Sequence, residues 1–210
     1  MKQTSALPGT FRSPFSKGYW QAAAAELKTT RRLILAALFV ALTIAVGRIF
    51  IPVPVPAVGD QRVYFTFLVG SLGAMIYGPA MGVLVGAVAD VIGALLFPTG
   101  PFFPGYTLTA MIGPLLYGLF FYKARLSVLR IAVCKLLVNV IANIVCNSLW
   151  ASILGGNDFF LLMITRAPKN LILLPVEVLL MVVFFRAMTP VLRQMRLIEH
   201  TPFEGNIPWI

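Results

Sequence analysis

The sequence predicts an all-α integral membrane protein, a bundle of six transmembrane helices with both termini in the cytoplasm. Three observations predict it. Of 210 residues, 59% are hydrophobic and only 11% charged, against roughly 25% charged in a soluble domain. The apolar residues fall into six runs divided by proline, glycine or charged breaks. The basic residues gather at the ends of those runs, mostly on one side. This composition excludes a disordered chain, a coiled coil and an ordinary soluble enzyme. The net charge is +10, from 17 Lys and Arg against 7 Asp and Glu. Because most basic residues flank apolar runs, the charge reads as membrane topology rather than nucleic-acid binding.

Residues 1–30 form a polar cytoplasmic or interfacial segment without the charged-then-apolar pattern of a secretory signal. Residues 16–30 suit a short helix on the membrane surface. Tyr19 and Trp20 would sit at the headgroups, and Lys17, Lys28, Arg31 and Arg32 would meet anionic lipid. A disordered tail is the alternative. Residues 31–190 form the membrane domain. Its first run, 32–50, is closed by Pro52, Pro54 and Pro56, since proline offers no donor and clashes with the preceding turn. The second, 62–77, ends at Gly78 and Pro79, and the third covers 80–97. The loop 98–105 leads to the fourth, 106–122; the fifth is 126–154 and the sixth 168–188. A span needs roughly 20 residues, so the second and third are short and the fifth must tilt, bend or protrude. Residues 191–210 form a cytoplasmic tail.

Orientation follows from the basic residues. Lys2, Arg12, Lys17, Lys28, Arg31 and Arg32, then Lys123, Arg125 and Arg130, then Arg186, Arg193 and Arg196 fall on one side of a six-helix topology, the cytoplasmic side. The opposite side holds only Arg48, Arg62, Arg166 and Lys169. These four work against the topology rule. They could form an electropositive mouth for an anionic ligand, or snorkel to lipid headgroups. The stretch containing Arg166, Lys169 and Asn170 favours a site.

The fifth run carries Lys135, Asn139, Asn143 and Asn147 at four-residue intervals, with Trp150 one turn on. Such a face is too polar for lipid and looks into the bundle. The amides could join helices. For Asn143 and Asn147 a ligand is favoured, because amides read the donors and acceptors of a planar heterocycle. The third run carries Gly78, Gly82, Gly86 and Asp90, a close-packing groove ending in a buried carboxylate. Lys135 is the basic residue at the depth of Asp90 and Glu177, and either pairing would lower the cost of burial. Phe103, Pro104 and Tyr106 belong to an aromatic loop that could stack on a flat ring or sit in an interfacial belt. The Pro-rich loop 51–61 could act as a lid. Ala37, Ala41 and Ala45 allow another helix to approach the first run closely.

No catalytic residue, metal ligand or cofactor is expected. One His and two Cys are too few for a metal centre. Cys134 and Cys146, about 18 Å apart on one helix, cannot pair with each other. There is no phosphate-binding Gly-rich loop ending in Lys-Ser or Lys-Thr.

Three blocks resemble the substrate-binding (S) components of energy-coupling-factor (ECF) vitamin transporters: 86–93, 96–108 and 117–120. Residues 169–177 and 139–150 bring the resemblance towards the folate-specific members. The resemblance covers about residues 27–188. It implies a multi-pass protein of the bacterial cell membrane that binds its vitamin with high affinity from outside. The partners it implies are a transmembrane coupling subunit and two cytoplasmic ATPases. It maps docking onto Ala37, Ala41 and Ala45, and gating onto 51–61 and 98–105. Folate has a pteridine, an aromatic ring and a glutamate. On this reading Arg166 and Lys169 take the glutamate end, Phe103 and Tyr106 stack, and Asn143 and Asn147 meet the pteridine. Asp90 could also pair with the pteridine edge. The competing readings are a binder of pantothenate or another vitamin, a stand-alone proton-coupled transporter using Asp90, Lys135 and Glu177, a membrane enzyme, and a ligand-free bundle. The 1–30 segment departs from the family by its length.

Overall fold

The computed structural model describes residues 16–55, 59–98, 100–198, 202–203 and 205–210. Lys2, Arg12, the tip of the 51–61 loop, Thr99 and His200 lie outside them. The chain folds as α1 (Lys17–Glu26), α2 (Thr30–Val46), β1 (Phe50–Val55), β2 (Gly59–Tyr64), α3 (Thr66–Leu96), α4 (Pro104–Phe121), α5 (Val128–Val138), a π-helical stretch (Asn139–Cys146), α6 (Asn147–Gly155) and α7 (Phe159–Gln194). Among the described residues three helical runs are long and apolar enough to cross a membrane: 66–96, 128–155 and 159–194. The α1–α2 pair, bent by 78°, makes a fourth if it counts as one span.

The exterior of the bundle is apolar. Ile172, Val176, Leu179 and Val183 lie three or four residues apart on α7 and are all more than half exposed, a face suited to lipid. The interior holds Tyr77, Met81, Phe121, Met181 and Phe185, each almost fully buried. Phe121 meets Phe185 edge-on at 5.4 Å and stacks on Tyr117 at 5.8 Å, geometries that aromatic quadrupoles favour.

α3 breaks where glycine and proline meet. Gly78 adopts φ 79°, ψ −179°, and Pro79 follows it. An L side chain rarely takes that backbone conformation, and proline removes a helical donor. The Tyr122 ring lies against Gly78, where a Cβ would come within 3.1 Å of it. Below the break the glycine stripe packs on α4: Gly82 faces Pro114 and Gly86 faces the Ala110 carbonyl. Gly118 of α4 meets Pro79 in return.

The two flanking segments are tied to the bundle. Tyr19 of α1 donates to the Gly118 carbonyl at 2.7 Å, and Glu26 accepts from Tyr122 and pairs with Arg32 at 2.8 Å. Trp20 and Lys17 stay exposed. At the other end, the N–H groups of Leu126, Val128 and Leu129 donate to the carbonyls of Pro202, Pro208 and Trp209. Helices leave their first N–H groups unsatisfied, and here the tail supplies acceptors at the start of α5. Arg31 and Arg32 donate to the Met195 and Leu197 carbonyls just past α7, the end that attracts cations.

Within the 51–61 segment, expected as a loop, the described residues belong to the antiparallel pair β1 and β2, with Pro52 opposite Arg62 and Pro54 opposite Asp60. Two prolines two residues apart occupy alternate positions of a strand, so the intervening residues can still serve the ladder.

Candidate functional site

A cavity of about 1100 Å³ opens between the β1–β2 pair and the helices. The turn after α2 contributes Arg48, β2 Arg62, α3 Tyr77, Gly86 and Asp90, α4 Tyr117, and the 128–155 run Lys135, Asn143 and Asn147. α7 contributes Arg166, Lys169, Asn170 and Glu177. Five basic and two acidic residues line it, and one of the acids is already paired. Lys135 Nζ lies 3.1 Å from Glu177 Oε1 and 4.3 Å from the Phe67 ring centre. The remaining charge is positive, which suits an anion.

Of the sequence-predicted residues, Arg48, Asp90, Asn143, Asn147, Arg166, Lys169 and Asn170 line this one space. Arg62, from the same outer group, joins them. Lys169 donates to the Arg62 carbonyl at 2.7 Å and so ties α7 to β2. The guanidinium of Arg48 lies over Phe97 at 4.8 Å, and that of Arg62 over Phe50 at 4.7 Å. Asp90 accepts from Thr107 of α4 at 2.7 Å. Asn170 donates to the Arg166 carbonyl at 3.0 Å.

Phe103, Pro104, Tyr106 and Trp150 do not line the cavity. Phe103 packs on Trp150 at 5.7 Å and on Tyr106 at 6.1 Å. The Trp150 indole N–H donates to Thr109 at 2.9 Å. Pro104 is the first residue of α4, where proline's missing donor costs nothing. Ala37, Ala41 and Ala45 are exposed on the outer face of α2, while Ala36 and Phe39 face the core.

Two features of the site were not anticipated from sequence. Asn139 and Asn143 sit in a π-helical stretch. Its wider turn offsets the drift that a four-residue repeat suffers against 3.6 residues per turn, so the polar residues stay aligned. Nothing in the composition of 139–146 marks it. Tyr117 also lines the cavity, and its hydroxyl is buried without a hydrogen-bond partner among the described residues.

A bundle with an apolar exterior, enclosing a wide cavity lined by cations and amides, defines the class: a multi-pass membrane protein with a site for a small polar molecule. The family follows from sequence. The model of the family described as ECF transporter, substrate-specific component matches residues 31–185, and the chain belongs to that family. It is 34% identical over 151 residues to the folate transporter FolT of Clostridium novyi (strain NT), covering 72% of this chain and 86% of the relative. It is 39% identical over 155 residues to the folate transporter FolT of Leuconostoc mesenteroides subsp. mesenteroides, covering 71% and 81%. The crystal structure of FolT bound with folic acid superposes with a TM-score of 0.62 at 33% identity, covering 71% of this chain and 88% of that one. α1 and the tail beyond residue 185 lie outside the family match.

Proposed function

We propose that this chain is the folate-binding subunit of an ECF transporter, holding folate within the membrane for ATP-driven uptake. The observation that carries the reading is the cavity of about 1100 Å³ lined by Arg48, Arg62, Arg166 and Lys169 together with Asn143 and Asn147, in a chain similar to a FolT solved with folic acid. Folate has the same two halves, a dicarboxylate and a heterocycle rich in donors and acceptors. Arg166 and Lys169 take the glutamate carboxylates, and Asn143 and Asn147 meet the pteridine. Phe103, Tyr106 and Trp150 shape the 98–105 loop beside the site.

Residues 31–190 act as the membrane domain, with six spans, both termini cytoplasmic and the cavity open to the outside. Ala37, Ala41 and Ala45 form the surface for a transmembrane coupling subunit, where small side chains let a helix approach. Two ATPase subunits hydrolyse the ATP; this chain has no enzymatic step. The test is reconstitution. Vesicles holding this chain with a coupling subunit and two ATPases take up labelled folate only with ATP, and unlabelled pantothenate does not compete. Uptake by the chain alone, driven by a pH gradient, would instead support a proton-coupled transporter.

A further inference from the structure

The Asn139 and Asn143 amides are not free to turn. Glu177, held by Lys135 at 3.1 Å, presents its second oxygen to Asn139 Nδ2 at 2.9 Å. The Asn170 carbonyl lies 3.2 Å from the same nitrogen. A carboxylate in an ion pair and a backbone carbonyl only accept hydrogen bonds. The Asn139 amide therefore points its NH2 at both, and both of its protons are used. Its oxygen must then accept, and the group 3.0 Å away is Asn143 Nδ2. This chain of donors removes the ambiguity that usually attaches to amide orientation. Asn143 lines the cavity, and Asn139 stands behind it, 1% exposed. With one N–H turned to Asn139, Asn143 keeps its second N–H and a carbonyl oxygen; Asn139 holds the nitrogen side in place, so the amide cannot exchange the two, and the oxygen has no hydrogen-bond partner among the described residues.

We propose that Asn139 is a positioning residue that fixes where Asn143 presents its carbonyl oxygen, so that the heterocycle bound beside it sets an N–H donor against that oxygen. The proposal rests on the folate reading and deepens it. Of the two edges a pteridine can offer, the one bearing the ring N–H and the 2-amino group faces Asn143. A mismatched ring leaves that oxygen buried against another acceptor, which is how polar sites reject near-isosteric ligands.

The test uses the full-length purified chain and three ligands. Folic acid has both donors. Aminopterin carries an amino group in place of the 4-oxo group and has no hydrogen on the ring nitrogen beside it. 2-Desamino folic acid lacks the other donor. The wild type is expected to favour folic acid over at least one analogue by about tenfold, the worth of one hydrogen bond. In Asn139→Leu the Asn143 amide can rotate, and the preference is expected to fall to about threefold or less, with folic acid still bound. A purely structural role would weaken all three ligands together. A wild type that binds all three equally, or an Asn139→Leu variant that keeps the wild-type preference, would overturn the proposal. Should Asn139→Leu not fold, Asn143→Ala decides, with collapse of the preference expected and its persistence overturning. A well-folded wild type that binds none of the three would overturn the folate reading itself.

Discussion

Lys135 of α5 and Glu177 of α7 form an ion pair at 3.1 Å in the cavity wall, with the lysine side chain 2% exposed. The pair joins two helices that belong to different long apolar runs. Breaking it leaves a charge buried without a partner, which costs about 3–5 kcal/mol, whereas replacing both members by apolar residues is often neutral. Lys135→Met alone is therefore expected to lower the unfolding midpoint sharply. The double variant Lys135→Met, Glu177→Leu is expected to recover most of it. Thermal unfolding in detergent checks this, and a double variant as unstable as the single one would contradict it.

Arg166 is assigned to the carboxylates of the ligand. A hydrogen bond to a charged group contributes about 1.5–3 kcal/mol. Arg166→Ala is expected to weaken folate by roughly 10- to 100-fold and a carboxylate-free pterin much less. Competition binding with the two ligands measures the difference. Equal losses for both would remove Arg166 from that role.

Tyr117 carries a buried hydroxyl with no partner among the described residues, in the cavity wall. Without ligand, an unsatisfied buried hydroxyl costs about 1–3 kcal/mol. Tyr117→Phe is expected to leave the ligand-free protein as stable as the wild type or more so. The folate-induced rise in melting temperature is expected to shrink if the ligand satisfies that hydroxyl. Melting curves with and without folate report both effects, and a destabilised ligand-free variant would contradict this account of Tyr117.

Gly118 packs directly on the helix break. A Cβ there would stand 2.5 Å from the Pro79 Cα, and overpacking of this kind costs about 1–3 kcal/mol. At Gly113, on the same helix, a Cβ would meet nothing within 4 Å. Gly118→Ala is expected to destabilise and Gly113→Ala to be tolerated, as read by thermal unfolding. The reverse order would contradict the α3–α4 packing described above.

What was legible in the sequence were features governed by single residues or fixed spacings. The break at Gly78 and Pro79 follows from backbone geometry and a missing donor. The stripe from Lys135 to Asn147 follows from the cost of polar groups in lipid. At 17–26 a surface helix and a disordered tail stood as alternatives; the segment is a helix, but Tyr19, expected at the headgroups, is buried and donates to the Gly118 carbonyl. Features that depend on contacts between distant segments were not legible. Pro52 and Pro54 hid the paired strands, because they read as breakers and not as alternate positions of a strand. The helical start at Phe159 was missed because Arg166, Pro168 and Lys169 read as an entrance rather than as part of a longer helix. The partner of Lys135 stayed open between Asp90 and Glu177, since both lie at its depth; only the packing of α5 on α7 selects Glu177 and leaves Asp90 with Thr107. The aromatic residues of 98–105 suggested a stacking platform, but Phe103 meets Trp150, 47 positions away, a contact no local pattern reveals.

The central claim is that this chain by itself binds folate. The most direct measurement is a calorimetric titration of folic acid into the purified chain in detergent, beside pantothenate, with any co-purified small molecule first identified by mass spectrometry. Tight, saturable binding of one folate per chain, with no heat from pantothenate, is the predicted result. A folded chain that binds pantothenate or another vitamin and not folate would contradict it.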